Sequence, residues 1–251
     1  MYQSERQERI LELLHREGFV PVRYLTEVLS VSTATVNRDL NELARRGLIR
    51  RSWGGAETVK KQTVPLPFRY DYMKQAKQRV SRAAAAFIKP GETVFIDGST
   101  TTEYMAEYLN GIDGLRVVTH NNALAAKLSE AGVYVLCLGG EIIEPPSITG
   151  GPVAVEAAAT VLADKLFFAS GGLTPDGRIL SDIYLPLHRT MLRNSRECFH
   201  LMDHEKLVTP ERSGLTVLCD LSAVQHVISD VPLPQTLRDA YPDTDFVVAG
   251  R

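Results

Sequence analysis

Six consecutive residues, Asp97-Gly98-Ser99-Thr100-Thr101-Thr102, put a carboxylate and four hydroxyls into one short stretch. The apolar run 93–96 before them reads as a strand, and a helix is expected after them to about Leu109. In open α/β sheets ligands bind beyond the carboxyl ends of the strands. Gly98 lets the backbone turn there. The free N–H groups of a helix start, with the hydroxyls of Ser99, Thr100, Thr101 and Thr102, can surround a phosphate. The same hydroxyls can also do no more than cap the helix. Asp97 can take a sugar hydroxyl or hold the amides of its own loop. Gly139-Gly140 and Gly171-Gly172 also follow strand-like runs, and either admit backbone close to a ligand or make tight turns. Asp182, His188 and Arg189 come soon after the turn Thr174-Pro175-Asp176-Gly177. His188 can donate to a hydroxyl or an anion, or serve the core. Lys206 follows the run 197–202 and Asp203, where it suits an anionic ligand or plain solvent.

A second group of residues suits a polyanion. Val36, Leu40 and Leu43 repeat at i, i+4, i+7, so the segment after Ser32 reads as a helix with one apolar face. Its other face carries Thr33, Thr35, Asn37, Arg38 and Asn41, short polar or cationic groups fit for base edges and phosphates. Ser32 is a natural N-cap, and the helix start at Ser32 and Thr33 favours a phosphate. Arg50 and Arg51 follow on a short strand. Residues 32–61 hold seven Arg and Lys against three Asp and Glu, although the whole chain has net charge −2. That local excess is what phosphate binding needs.

Other elements must hold these groups in place. Ile10, Leu13 and Leu14 mark a helix over 4–17 that Gly18 ends. Pro21 starts a second helix carrying Val22, Leu25, Val28 and Leu29 inward. Ser30-Val31-Ser32 makes the turn into the third helix, which Gly47 closes. Leu48–Arg51 reads as a strand and Trp53-Gly54-Gly55 as the tight loop of a wing. Two helices, a turn and a wing predict a winged helix-turn-helix that binds double-stranded DNA, the alternative being a winged helix used for protein contacts or a helical cap with solvated Arg residues. Residues 58–73, with Pro65 and Pro67, lack periodicity and read as a linker. A helix is expected over 74–88. Strands are then expected over 93–96, 115–119, 133–138, 165–169, 197–202, 215–219 and 246–248, with helices over 122–131, 153–162 and 184–195. This alternation predicts an α/β domain with a mostly parallel sheet.

Composition bounds the rest. A 251-residue chain with 44% hydrophobic and 23% charged residues is ordinary for a globular protein. Cys137, Cys198 and Cys219 are odd in number and widely spaced, which supports neither a disulfide framework nor a zinc site. Reduced thiols, a polar start at Met1–Arg6 and no apolar stretch near the ~18 residues of a membrane span point to the cytoplasm and away from membranes. No G-x-G-x-x-G follows the first strand of the α/β domain, so no cofactor is expected.

Ser32-Thr33-Ala34-Thr35-Val36-Asn37-Arg38-Asp39-Leu40, with Gly47-Leu48-Ile49 and Gly54-Gly55-Ala56, resembles the DNA-binding domain of DeoR-family transcriptional regulators. Asp97–Thr102 resembles that family's Asp-Ser-Gly-Thr-Thr-Thr loop. Val118-Thr119-His120-Asn121, Leu138-Gly139-Gly140, Ser170-Gly171-Gly172 and Asp203-His204-Glu205-Lys206 fall in the family's order. The resemblance implies a repressor of sugar or nucleoside catabolism genes tuned by a phosphorylated metabolite, and puts Asn121 among the effector-binding residues. It also implies a Rossmann-like effector domain similar to ribose-5-phosphate isomerase and glucosamine-6-phosphate deaminase. Asn37 stands where the family usually has Arg, and Trp53 where it usually has His. Leu187-His188-Arg189-Thr190-Met191 is the nearest match to the family's Val-Lys-Arg-Ala-Met and has no Glu before it, so the Lys/Glu pair of the enzymes is missing.

The resulting expectation is a DNA-binding domain at 1–57, a linker at 58–73 and an α/β effector domain at 74–251. The partners expected are operator DNA, a phosphorylated sugar and further copies of the chain, as a dimer or tetramer. A sugar-phosphate isomerase or deaminase with a DNA-binding appendage is the alternative.

Overall fold

The computed structural model describes residues 2–17, 19–52, 54–58, 69, 72–144, 147–181, 185–208 and 216–250. Gly18, Trp53, Pro65, Pro67 and Asp182, all named above, lie outside them, as do Lys60 and Lys61 of the basic stretch 32–61 and most of the linker expected at 58–73. The chain divides into two compact units, Met1–Met73 and Lys74–Arg251.

The first unit holds helices α1 (Gln3–Glu17), α2 (Val22–Leu29) and α3 (Thr33–Arg45), with strands β1 (Phe19–Pro21), β2 (Ile49–Ser52) and β3 (Gly55–Thr58). Ile10, Leu13, Leu14, Leu25, Leu29, Val36, Leu40 and Leu43 meet in one buried core, as their spacing predicts. Val28 was expected inward but is exposed. A helix turns about 100° per residue, so Val28 sits a quarter-turn round from Leu29 and off the apolar face. Ser30 closes α2 in the left-handed region at φ 52, its N–H bonded to the Thr26 carbonyl. Ser32 caps α3 by accepting from the Thr35 N–H at 3.2 Å. The wing is a three-stranded antiparallel sheet in the order β1-β3-β2. β1 and β3 were not foreseen, being only three and four residues long. A Cβ on Gly55 would lie 2.5 Å from the Val20 carbonyl oxygen, so only glycine lets β1 and β3 approach there.

In the second unit, helix α4 (Lys74–Ala85) precedes β4 (Thr93–Ile96), β5 (Arg116–Thr119), α5 (Asn122–Glu130) and β6 (Tyr134–Cys137). The hairpin β7 (Glu141–Glu144) and β8 (Ile148–Gly150) leads into α6 (Gly151–Ala159) and β9 (Ala163–Ala169). Then come β10 (Gly172–Leu173), β11 (Arg178–Ser181), α7 (Leu185–Arg193) and β12 (Ser195–Met202). Last are β13 (Thr216–Asp220), β14 (His226–Ser229), α8 (Gln235–Ala240) and β15 (Asp245–Val248). The main sheet has seven parallel strands in the order β15-β14-β12-β9-β4-β5-β6. Chain order runs outward from β4 to β6, then returns to β9 on the other side and runs outward again. The switch point therefore lies between β4 and β9. Residues of α4 and α5 cover one face of the sheet, and those of α6, α7 and α8 the other.

Three expectations change. The segment after the 97–102 loop is a 3-10 helix, Thr102–Tyr108, rather than an α-helix. β13 was read as one more strand of the alternation, but it pairs antiparallel with β11 in a separate small sheet. β14, α8 and the short strands β7, β8, β10 and β11 went unseen, because two to six residues are too few to show a period.

Candidate effector site and nucleic-acid interface

The residues 97–102 gather at the carboxyl end of β4, beside the switch point. Asp97 is fully buried and spends its carboxylate on the protein. Oδ1 accepts from the Ser99 N–H and the Thr102 hydroxyl, and Oδ2 from the Ala169 N–H at the end of β9. Asp97 thus ties β4 to β9 instead of offering an open acceptor. Burial alone would raise its pKa, but the closeness of His188 and the Thr102 bond outweigh burial and hold it below the usual carboxylate value. Ser99 caps the 3-10 helix: its hydroxyl accepts from the Thr102 N–H and bonds the Thr102 hydroxyl at 2.9 Å. Among the described residues none accepts from the N–H groups of Thr100 and Thr101. Lys77 of α4 is buried, and its Nζ donates to Thr100 Oγ1 at 3.0 Å. Ser81, one turn along, donates to the Thr101 carbonyl at 2.6 Å.

Three buried imidazoles surround this loop. The Gly98 N–H donates to His120 Nε2 at 2.7 Å, so that nitrogen is unprotonated, and Nδ1–H donates to the Thr149 carbonyl. Burial first, then the neighbouring His188, pushes the His120 pKa down to about 4. A Cβ on Gly98 would come within 3.0 Å of that ring, so the loop can approach it only at glycine. His188 of α7 reaches Asp97 from above, with Nε2 3.5 Å from Oδ2 and its ring edge-on to His120 at 5.8 Å. Neither ring nitrogen of His188 has a hydrogen-bond partner among the described residues, although the side chain is buried. The Ser170 hydroxyl donates to the Gly172 carbonyl and so accepts from His200 Nε2–H at 2.8 Å. Burial drives the His200 pKa down to about 3.

The other expected effector residues divide. Asn121 caps α5 through Oδ1 and gives its amide to Glu103, so its side chain is engaged within the protein. Gly140, at φ 104, lets the Gly150 carbonyl pack where a Cβ would sit, and Gly139, at φ 64, makes the turn before it. Gly171 donates to the Leu180 carbonyl, and Gly172 packs under Val208. Gly140 thus serves close backbone packing and Gly172 close packing of a side chain, while a Cβ on Gly139 would meet open space. Lys206 lies in the short 3-10 helix His204–Lys206 past β12, half-buried. Reading the sequence missed Lys77, His120 and His200. No local motif marks a core lysine in an amphipathic helix, and a single histidine in an apolar strand looks structural.

In the first unit, Thr33, Arg38, Asn41, Arg50 and Arg51 are exposed, and Thr35 and Asn37 are half-buried. Asp39 does not weaken this surface, because it is buried against Arg6, which reaches it with two nitrogens at 2.5 and 3.2 Å. Glu42 engages Arg45 along the helix, so that pair is locally neutral. Arg46 donates to Gln7 and Arg51 to Asn37.

A wing, a capped third helix with polar and cationic residues outward, and a separate α/β unit with a polar loop at its switch point define a DNA-binding transcriptional regulator with a sensor. Residues 6–62 match the model of the DeoR-like helix-turn-helix domain, and residues 73–231 that of the DeoR C-terminal sensor domain. The chain belongs to the DeoR family and is a regulator rather than the enzyme weighed as the alternative. It is 31% identical over 248 residues to the glycerol-3-phosphate regulon repressor of Escherichia coli (strain K12), with 97% of each chain covered. It is 29% identical to the transcriptional repressor AccR of Agrobacterium fabrum, over 98% of each chain. To the HTH-type transcriptional repressor GlcR of Bacillus subtilis it is 30% identical, over 82% of this chain and 81% of that one. Among solved structures a D-ribose-5-phosphate isomerase, in complex with phospho-erythronic acid, is similar at TM-score 0.42 and 14% identity, over 54% of each chain.

Proposed function

We propose that this protein represses carbohydrate catabolism genes in the cytoplasm, and that a phosphorylated sugar bound at the 97–102 loop sets its affinity for operator DNA. The carrying observation is Lys77, a buried ammonium against Thr100 in a loop of hydroxyls and of N–H groups from which none of the described residues accepts. Such a setting suits a phosphate dianion. His188 supports the reading, since a sugar oxygen would satisfy its Nδ1, which has no hydrogen-bond partner among the described residues. The relative named for the glycerol-3-phosphate regulon fits a phosphorylated effector. On the DNA side Ser32, Thr33, Thr35, Asn37, Arg38, Asn41, Arg50 and Arg51 meet the duplex. Helix-turn-helix proteins read paired half-sites as dimers, so the working form is a homo-oligomer, a dimer or tetramer.

The test is thermal unfolding against pentose and hexose phosphates, the free sugars and inorganic phosphate. One sugar phosphate is expected to stabilise the chain, by about 2.7 kcal/mol at a concentration a hundred times its Kd. Lys77→Met is expected to abolish that gain. Equal stabilisation by an unphosphorylated sugar, or a gain untouched by Lys77→Met, contradicts the reading.

A further inference from the structure

Asn37 and Arg51 are joined, and the join changes what each can read. Arg51 Nη2 donates to Asn37 Oδ1 at 2.9 Å. Arginine has no acceptor, so the amide oxygen of Asn37 must be the atom that faces it. Side chains alternate along a strand, so Arg51 shares the face of buried Ile49, while Arg50 takes the opposite face. Arg51 thus leans towards α3 from the wing.

An asparagine acting alone in the major groove suits adenine, its carbonyl accepting from N6 while its amide donates to N7. Here one lone pair of that carbonyl is spent on Arg51, and the bond fixes the amide with its oxygen turned to the guanidinium. Turned away from that bond, the pair presents chiefly the Asn37 amide protons and the remaining guanidinium protons, which are donors. Guanine shows two adjacent acceptors, N7 and O6, in the major groove. Adenine and cytosine each put an amino donor there, and thymine shows one acceptor beside a methyl group. We propose that Asn37 and Arg51 act as a single reading head that selects guanine in each operator half-site. The tether also removes side-chain freedom from Arg51 before DNA arrives, which favours a bidentate contact over a loose phosphate contact.

The experiment uses the full chain to select duplexes from a randomised library, then replaces each base pair of the selected site in turn at fixed salt. The position read by the pair is the one where Asn37→Ala removes the preference. There the wild-type chain is expected to bind guanine about tenfold or more better than adenine. Arg51→Ala frees the Asn37 carbonyl, so preference at that position moves towards adenine while other positions keep theirs. Arg51→Lys keeps the charge but loses the planar fork, so the guanine preference falls while affinity for unrelated duplex holds. Unchanged thermal unfolding of each variant shows that the fold is intact. If Arg51→Ala instead weakens every duplex alike and lowers the salt slope by about one, Arg51 is a phosphate contact and the proposal is overturned. A wild-type preference for adenine at the Asn37 position overturns it too. Failure to select any sequence would overturn the reading of α3 as a recognition helix along with it.

Discussion

His120 accepts the Gly98 N–H at Nε2 and gives its Nδ1 proton to Thr149, so a second ring proton would have to displace the loop. Its folded pKa of about 4 and that of His200, about 3, both lie below the ordinary 6.5. Between 6.5 and each folded value the unfolded chain binds a proton that the native chain refuses. Stability therefore falls as pH drops through that window, by about 1.4 kcal/mol per pH unit for each group, and neither group adds a slope above it. Denaturation in urea is expected to show a midpoint that declines from pH 6.5 to 4.5, with the ring signals of His120 titrating near pH 4 by NMR. Ring signals that titrate near 6.5 would contradict the buried, bonded geometry. At this scale the polar loop 97–102 could be read from residue types alone, because hydroxyls and a glycine stand side by side in the chain. Lys77 could not be read in this way, and His188, a candidate from its own segment, could not be placed at this loop, since both are 20 or more residues away from it and meet it only through folding.

The helices of the first unit are held by apolar packing and, among the described residues, by a buried ion pair. Arg6 of α1 reaches Asp39 of α3 with two nitrogens, and the Asp39 side chain is almost fully buried. Removing one partner of such a pair strands the other charge away from water. Arg6→Ala is expected to destabilise the DNA-binding unit by about 3–5 kcal/mol. Glu42→Ala, which breaks an exposed pair on the same helix, should change it by less than about 1 kcal/mol. Thermal unfolding of both variants checks the contrast, and two small effects would refute it. The three helices were legible because their apolar residues recur with the helical period. β14 was not, although it is a strand of the main sheet, because four residues buried between neighbours show neither alternation nor length.

Across the whole molecule, one unit carries the DNA-reading surface and the other the proposed effector loop, so regulation requires that the two be coupled. If the bound sugar changes affinity for operator DNA by some factor, operator DNA must change affinity for the sugar by the same factor. Titrating each ligand in the absence and in the presence of saturating amounts of the other should return equal factors. A sugar that binds but leaves DNA affinity unchanged would remove the sensor role, because a ligand without differential affinity shifts no equilibrium.

The sequence by itself determined the family, the two kinds of unit and the position of both polar surfaces. Those properties rest on local periodicity and on short motifs in a fixed order, which the chain carries before it folds. Only the tertiary structure decided which candidate side chains are engaged within the protein. It turned Asp97 and Asn121 inward to hold the scaffold, and brought Lys77, His188 and His120 to the loop. It also tied Asn37 to Arg51, a bond between helix and wing that no spacing along the chain announces. The physical reason is the same throughout: a hydrogen bond or a charge acts through space, and which groups share that space is set by packing rather than by spacing along the chain.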